Sequence, residues 1–136
     1  MNQNVRLAVA ALGALAVISL AAVPVAAEEF KTLSFRFTAN GPTAIVDKWT
    51  CWFDADCQYA ACHMTTVRKP TLGTLKPFAG PGAIPAWAGR CAGKPVPVLT
   101  ITYTPRPGVH GVDEIVLRSI ADNGGRHILN IHIDVP

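Results

Sequence analysis

The chain is 136 residues long and 50% hydrophobic, with 12 basic and 9 acidic side chains and a net charge of +3. So small an excess of positive charge gives no indication of a nucleic-acid partner or of binding to an anionic membrane surface. The length fits one domain with a hydrophobic core of its own, preceded by a targeting segment.

The N-terminal segment has the three parts of a secretory signal peptide. Residues 2–6 are polar with one positive charge, residues 7–23 are almost wholly apolar, and residues 25–27 are Val-Ala-Ala before Glu28. Small residues at that place are typical of a cleavage site. A transmembrane anchor is the alternative, because 17 apolar residues approach the spanning length of about 17 to 25. The small-residue site, in place of positive charges, favours cleavage.

Removal of residues 1–27 would leave residues 28–136 as one exported domain, periplasmic or secreted, without a membrane span. Export delivers the chain to an oxidising compartment, where disulfides persist. The four cysteines all lie in this part of the sequence, which predicts two disulfides. Zinc is the weaker alternative, because no two cysteines have Cys-x-x-Cys spacing. The cysteines are Cys51, Cys57, Cys62 and Cys91.

Short strands separated by turns are predicted for the first half of the domain. Residues 32–38 alternate polar and apolar side chains, as a strand with one buried face does. Residues 44–53 are rich in β-branched and aromatic residues, but their pattern does not show which face is buried. Residues 58–68 suit a returning strand, and the turn Asp54-Ala55-Asp56 lies between the two segments. We therefore expect a hairpin.

That hairpin predicts how the cysteines pair. Cys51 and Cys62 would lie near each other on its facing strands, and Cys57 would remain in the turn, where it can pair with Cys91. The second bridge would close a ring of some thirty-odd residues, which the chain-entropy model values at roughly 3 to 4 kcal/mol. The rival pairing joins Cys51 to Cys57 and Cys62 to Cys91.

Prolines and glycines dominate the middle of the domain. Residues 69–75 read as a turn and a short strand, whereas residues 76–97 hold five prolines and four glycines. These residues break helices and central strands, because proline lacks an amide donor and glycine adds chain entropy. We expect residues 76–97 to form a long loop, held to the rest of the domain through Cys91.

The last third of the chain has the clearest strand pattern. Residues 99–104 alternate apolar residues with threonines, and Pro- and Gly-containing residues 105–111 end that strand. Residues 114–120 and 127–135 form two more predicted strands around an Asp-Asn-Gly-Gly turn at residues 122–125. No helical periodicity follows the signal peptide, so the class is all-β with antiparallel strands. The residues expected to face the core are Leu99, Ile101, Tyr103, Leu129, Ile131, Ile133 and Val135.

Several short motifs occur in order along residues 68–136, and together they resemble the immunoglobulin-like, cadherin-like domains of bacterial surface and secreted proteins. The resemblance implies a Greek-key β-sandwich used for binding or as a spacer. The motifs are Pro70-Thr71-Leu72-Gly73-Thr74-Leu75, Tyr103-Thr104-Pro105, Pro107-Gly108, Gly111, Asp113 and Asp122-Asn123-Gly124-Gly125.

The sequence also departs from that family. It holds one copy where the family has tandem arrays, Val109 stands where an aromatic residue is usual, and the cysteine-bearing residues 51–91 have no counterpart. The calcium motif between repeats appears only as Asp54-Ala55-Asp56 in a cysteine-rich turn. Calcium binding is therefore not carried over to this chain.

Few residues suggest chemistry. The sulfur atoms of Cys62 and Met64 are of the type that binds soft metals. His63 between them would point to the opposite face of the strand, however, and Cys62 is expected to form a disulfide. The sequence has no Gly-x-Ser-x-Gly motif, phosphate-binding loop or His-Glu-x-x-His motif. We expect a protein that is not an enzyme and has no cofactor. Asp113 suits a structural role, accepting backbone amides in an Asx-type turn.

Two functions remain. The first is a small, monomeric binding or structural module of the cell envelope, with an envelope protein or a polysaccharide as partner. The alternative is a periplasmic, copper-type metal-handling protein that uses Met64 and histidines. Aromatic residues in the cysteine-rich half suit contact with a partner if they are exposed, and otherwise fill the ends of the sandwich. The aromatic residues proposed for contact are Trp49, Trp52, Tyr59 and Trp87.

Overall fold

The structure, a computed structural model, describes residues 27–136, so the predicted signal peptide, apart from Ala27, lies outside the described residues. Residues 27–136 form β-strands and one 3-10 turn, Gly89–Cys91. Within these residues the structure has no helix that is long and apolar enough to cross a membrane. The strands are β1 (Lys31–Thr38), β2 (Ala44–Trp49), β3 (Cys62–Arg68), β4 (Gly73–Ala83), β5 (Pro95–Pro105), β6 (Gly111–Ala121) and β7 (Arg126–Val135).

The strands form two sheets arranged as a β-sandwich, which confirms the predicted all-β class. One sheet has the order β1-β7-β6-β3 and the other β2-β5-β4. β1 pairs with β7 in parallel, whereas the other neighbouring pairs are antiparallel. The expectation of a wholly antiparallel fold is therefore wrong at this edge. Parallel neighbours need a long connection, and here it comprises all the strands between the first and the last.

The core lies between the two sheets and follows the predicted alternation in β7; in β5 Ile101 and Tyr103 are buried as predicted, but Leu99 is only half-buried and Thr100 is buried in its place. Ile131 and Ile133 of β7 are buried, whereas His132 between them faces out, with Nδ1 3.9 Å from Glu114 Oε1. The predicted register of the last strand is confirmed. Burial of each large side chain contributes about 1.5 to 3 kcal/mol. The main core comprises Ala39, Val46, Ile101, Tyr103, Ile115, Leu117, Leu129, Ile131, Ile133 and Val135.

The predicted hairpin of residues 44–53 and 58–68 is wrong in its extent. β2 pairs with β5, and β3 pairs with β6, so the two strands belong to different sheets. The fold-back is limited to residues 51–60, where the Ala60 amide donates to the Cys51 carbonyl at 3.0 Å. Between β2 and β3 the chain therefore passes from one sheet to the other, and each strand buries one face against the opposite sheet.

Two disulfides lie at this end of the sandwich. Cys51–Cys62 links the residues after β2 to the start of β3 and so joins the two sheets. Cys57–Cys91 links the fold-back of residues 51–60 to the 3-10 turn, across a sequence separation of 34 residues. These are the two pairs favoured from the sequence, although a short fold-back brings the cysteines together in place of a long hairpin.

The long loop predicted for residues 76–97 is also wrong. β4 and β5 extend into this stretch from both ends and remain paired up to Ala83 and Pro95, with Pro81 opposite Pro97. β4 tolerates proline because it is an edge strand, on which one side needs no amide donor. The irregular segment is confined to the residues between the two strands, which include the 3-10 turn.

A buried carboxylate connects three segments at the end of the sandwich where β6 begins. Asp113 accepts a hydrogen bond from the Tyr103 hydroxyl at 2.8 Å. It also accepts the backbone amides of Thr71 and Leu72, both at 2.8 Å, and the Thr71 hydroxyl at 3.1 Å. Two of these partners lie more than 40 residues away in sequence. Asp113 thus has the predicted structural role, but the predicted local Asx-type turn is wrong.

Candidate binding cleft

All three tryptophans of the chain line one cleft of about 510 Å³. It lies between β1 and β2, which are edge strands of the two sheets, and extends to the end of the sandwich where β6 finishes. Residues after β2, β4 and β6 complete its lining. It is named the Trp cleft, after Trp49, Trp52 and Trp87.

A β-bulge in β2 determines which side chains reach the cleft. The register with β5 shifts between Ile45 and Asp47, and such a shift changes the alternation of side chains along the strand. Ile45 is 59% exposed and the adjacent Val46 1%, as in a regular strand, but Asp47, which regular alternation would place on the face of Ile45, pairs with the buried Ile101. After the shift, Asp47 and Trp49 lie two positions apart and both line the Trp cleft.

Trp49 covers the open side of the sandwich at the cleft. Its side chain packs against the main core and against a smaller cluster around Ala60. Its ring meets the edge of His127, with ring centroids 5.3 Å apart and an interplanar angle of 73°. Burial lowers the pKa of His127 below its usual 6.5, and the charge of Lys31 lowers it further. The imidazole beside Trp49 is therefore neutral at pH 7.

Trp52 and Trp87 form an angled pair on the exposed side of the cleft. Their ring centroids are 5.5 Å apart, and the rings are inclined by 55°. Trp52 belongs to the fold-back of residues 51–60, and its carbonyl accepts a hydrogen bond from Asn123 Nδ2 at 2.6 Å. Trp87 lies between β4 and β5 and is 78% exposed. The pair thus presents flat aromatic surface to solvent.

Covalent and polar links join the two segments that carry this pair. The Cys57–Cys91 disulfide connects them, and the Arg90 guanidinium donates to the Asp54 carbonyl. Ile84 and Val96 pack with both cysteines as a second, smaller core on which Trp52 rests. The relative position of Trp52 and Trp87 therefore depends on this bridge and on the apolar cluster beside it.

Polar atoms at the Trp cleft lack hydrogen-bond partners. Asp47 Oδ2 and the Nε1 atoms of Trp49 and Trp52 are closed off from solvent and unpaired within residues 27–136, where the only other such side-chain atom is Ser119 Oγ. Each unpaired buried group costs about 1 to 3 kcal/mol. Burial also raises the pKa of Asp47 above 3.8, and the hydrogen bond from the Lys48 amide at 2.7 Å opposes this shift only in part.

Formal charges balance around the cleft. Lys31 and Lys48 contribute two positive charges to its lining, and Asp47 and Asp54 are the two acidic residues there. His127 adds no charge at pH 7, because burial lowers its pKa. The cleft therefore has no strong field of either sign.

The structure brings together three of the four aromatic residues proposed for contact. Trp49, Trp52 and Trp87 line the Trp cleft, whereas Tyr59 is 43% exposed and lies outside its lining. Tyr59 instead pairs through its backbone with Trp52. The sequence did not indicate Asp47 as a site residue, because the pattern of residues 44–53 does not show the bulge that turns its side chain to the cleft.

The residues of the metal-handling alternative lie apart from one another. Met64 packs against the main core, Cys62 is in a disulfide, and His63 Nε2 lies 3.2 Å from Asp122 Oδ1. In the part of the chain that the structure describes, no three His, Cys, Asp or Glu side chains are close enough to hold a metal ion. The geometry therefore gives this alternative no support.

A second cleft, of about 520 Å³, lies at the opposite end of the sandwich. Its lining contains prolines and glycines but no tryptophan, tyrosine or phenylalanine.

Comparisons with models of protein families, with curated proteins and with solved structures found no match for this chain. Function is therefore inferred from the Trp cleft, whose lining includes all three tryptophans.

Proposed function

We propose that this chain is a small exported, non-enzymatic binding module of the cell envelope, and that its ligand binds in the Trp cleft. The observation that carries this proposal is the convergence of all three tryptophans on one cleft. Tryptophan offers a large contact area at a small cost in conformational entropy, which makes it effective in binding sites. A concave, largely apolar site with a few polar groups is the usual form of a ligand pocket.

Two further features support this proposal. Disulfides persist outside the cytoplasm, so the bridges Cys51–Cys62 and Cys57–Cys91 favour a periplasmic or secreted location. The strand orders β1-β7-β6-β3 and β2-β5-β4 suit an immunoglobulin-like sandwich with Greek-key connections. In such domains the loops cluster at the two ends of the sandwich, and the Trp cleft includes one of these clusters.

The lining of the cleft favours binding over catalysis. Cys51 is the cysteine in the lining, and its sulfur is held in a disulfide. The unpaired oxygen of Asp47 is closed off from solvent, so a substrate has no access to it. The largest surfaces that a ligand meets are aromatic rings, which supply contact area rather than reactive groups.

Intrinsic fluorescence tests the proposal directly, because every tryptophan of the chain lines the cleft. The mature protein is titrated with soluble oligosaccharides, short peptides and tetramethylammonium as separate probes. We expect a saturable spectral change with one of these classes, lost in Trp87→Ala and retained in Phe78→Ala. Phe78 is the control because it is 51% exposed on β4, outside the cleft lining. The absence of a saturable change with every class would overturn the proposal.

A further inference from the structure

The chemical class of the ligand follows from the shape and charge of the Trp cleft, and this inference rests on the proposed function. The angled pair of Trp52 and Trp87 presents two neighbouring ring surfaces, 5.5 Å apart between centroids and inclined by 55°. At that distance and inclination the two indoles pack against each other, and Trp52 also packs on the smaller core of Cys57, Ile84, Cys91 and Val96, so the open ring surface is mainly that of Trp87. A ligand that lays one apolar face on Trp87 and presents polar groups along its edge fits this arrangement.

Pyranose sugars have the matching surfaces. One face of a pyranose ring carries several axial C–H groups, and this apolar face packs against the negative face of an indole. Trp87 is 78% exposed, which leaves one of its faces open for such a contact.

The charges of the lining favour neither cations nor anions. Lys31 and Lys48 are in formal balance with two acidic residues, so only the aromatic rings attract a quaternary ammonium group. The same lysines are matched by Asp47 and Asp54, so an anionic glycan gains no net attraction. A neutral ligand fits this balance.

Polar groups around the aromatic pair suit hydroxyls, which both donate and accept hydrogen bonds. The lining includes the Lys48 ammonium as a donor and the Asp54 carboxylate as an acceptor, whereas the Asn123 amide already donates to the Trp52 carbonyl and accepts the Gly125 amide. A ligand with hydroxyls along its edge can use both kinds of group at once, whereas an apolar ligand would use neither.

We propose that the Trp cleft binds a neutral oligosaccharide, with one pyranose ring packed against the exposed face of Trp87, beside Trp52. The contact with Trp87 provides most of the affinity, and the side chains of Lys48 and Asp54 orient the hydroxyls. Binding of this kind depends little on salt, because no net charge is neutralised.

Isothermal titration calorimetry with the mature, disulfide-bonded protein tests this proposal. The probes are neutral hexasaccharides of β-linked glucose, xylose and N-acetylglucosamine and of α-linked glucose. Oligogalacturonate, tetramethylammonium and a neutral hexapeptide are titrated separately as representatives of the other ligand classes. We expect one neutral saccharide to bind, with an affinity that changes less than about twofold between about 50 and about 500 mM salt.

Variants then locate the contact. Trp87→Ala is expected to weaken saccharide binding by about tenfold or more, because an aromatic anchor is lost. Trp87→Phe should retain part of the affinity, and Phe78→Ala all of it. Binding of oligogalacturonate, tetramethylammonium or the peptide, with no response to any neutral saccharide, would overturn this inference and leave the proposed function standing. If Trp87→Ala bound the saccharide as tightly as the wild-type protein does, the placement on Trp87 would be overturned. If no probe bound at all, both proposals would be overturned.

Discussion

Asp113 at one end of the sandwich is fully buried, and Asp47 at the Trp cleft is half-buried with one oxygen closed off from solvent; the two differ in how their oxygens are paired. Asp113, at the end where β6 begins, accepts four hydrogen bonds from Tyr103, Thr71 and Leu72. Asp47, at the Trp cleft, accepts the Lys48 amide on one oxygen and has no partner for the other. The first carboxylate stabilises the fold, whereas the second is kept at a cost beside a candidate binding site.

The pKa values of these two carboxyl groups move in opposite directions. Burial raises the pKa of both, but the hydrogen bonds at Asp113 outweigh burial and bring its pKa below 3.8. At Asp47 burial prevails, and the pKa lies above 3.8. Asp113 therefore contributes stability above the unfolded-state pKa of about 3.9, and that stability is lost as the pH falls towards its folded-state pKa. Asp47 instead lowers stability as the pH rises through its folded-state pKa.

The largest effect is expected from Asp113→Ala, which leaves the Tyr103 hydroxyl and the amides of Thr71 and Leu72 without an acceptor. We expect a loss of about 4 kcal/mol in the free energy of unfolding, since each unpaired buried donor costs about 1 to 3 kcal/mol. Urea denaturation with both disulfides intact measures it. A loss no greater than that of Asp47→Ala would contradict the contrast between the two ends.

The next largest effect concerns the bridge at the cleft end. Replacing Cys57 and Cys91 together by alanine should lower the free energy of unfolding by about 3 kcal/mol, because the unfolded chain regains loop entropy. Amide hydrogen exchange should become faster in residues 84–94, while the amides of Thr71 and Leu72 at the Asp113 end keep their protection. Equal loosening at both ends would show that the bridge does not act locally.

Gly73→Ala tests how tightly the Asp113 end is packed. A Cβ at Gly73 would lie 2.6 Å from Cζ of Tyr103 and 2.5 Å from the Thr104 carbonyl oxygen, so the Tyr103 ring must move. We expect a loss of about 2 kcal/mol by overpacking. Gly80→Ala on the same strand is the matched control, because a Cβ there meets nothing within 4 Å. Similar losses in the two variants, measured by thermal unfolding, would count against the close approach to Tyr103.

The smallest change is expected from Asp47→Asn. Removing a buried charge with an unpaired oxygen should leave the free energy of unfolding at pH 7 equal or raised by about 1 kcal/mol or less. Any gain should shrink as the pH falls through the raised folded-state pKa of Asp47, because the wild-type carboxyl is then neutral as well. Denaturation series from about pH 3 to pH 7 measure this, and a gain that grows with acidity would contradict it.

The regular strands were predictable from the sequence because their side chains alternate over long runs. β7 has Ile131 and Ile133 facing the core and His132 facing out, as its pattern predicts. β4 was missed for a physical reason: proline fits the free side of an edge strand, and the sequence does not show which strands are edges. Pro95 and Pro97 of the central β5 lie outside residues 99–103, which pair with β2, so their side facing β2 needs no amide donor. The pairing of β2 with β5 was missed because neighbouring segments were expected to pair with each other.

The candidate site was predictable only as a set of residue types. Trp49, Trp52 and Trp87 stand out as aromatic residues in the cysteine-rich half, but their convergence requires strand pairing and a disulfide between distant segments. Asp47 was not predictable, because a one-residue bulge reverses the alternation of β2 beside it. Local sequence patterns thus identify the aromatic groups of the cleft but not its half-buried carboxylate.

The parallel pairing of β1 with β7 has a practical consequence for how the domain is attached to a surface. Both strands begin at the Trp cleft end, where Arg126 forms an ion pair with Glu28 at 2.7 Å. The last residue lies at the opposite end, where His110 Nδ1 donates to the Pro136 carbonyl at 2.6 Å. A sensor chip or fusion partner linked at Pro136 therefore leaves the cleft facing solution, whereas one linked at Glu28 crowds it.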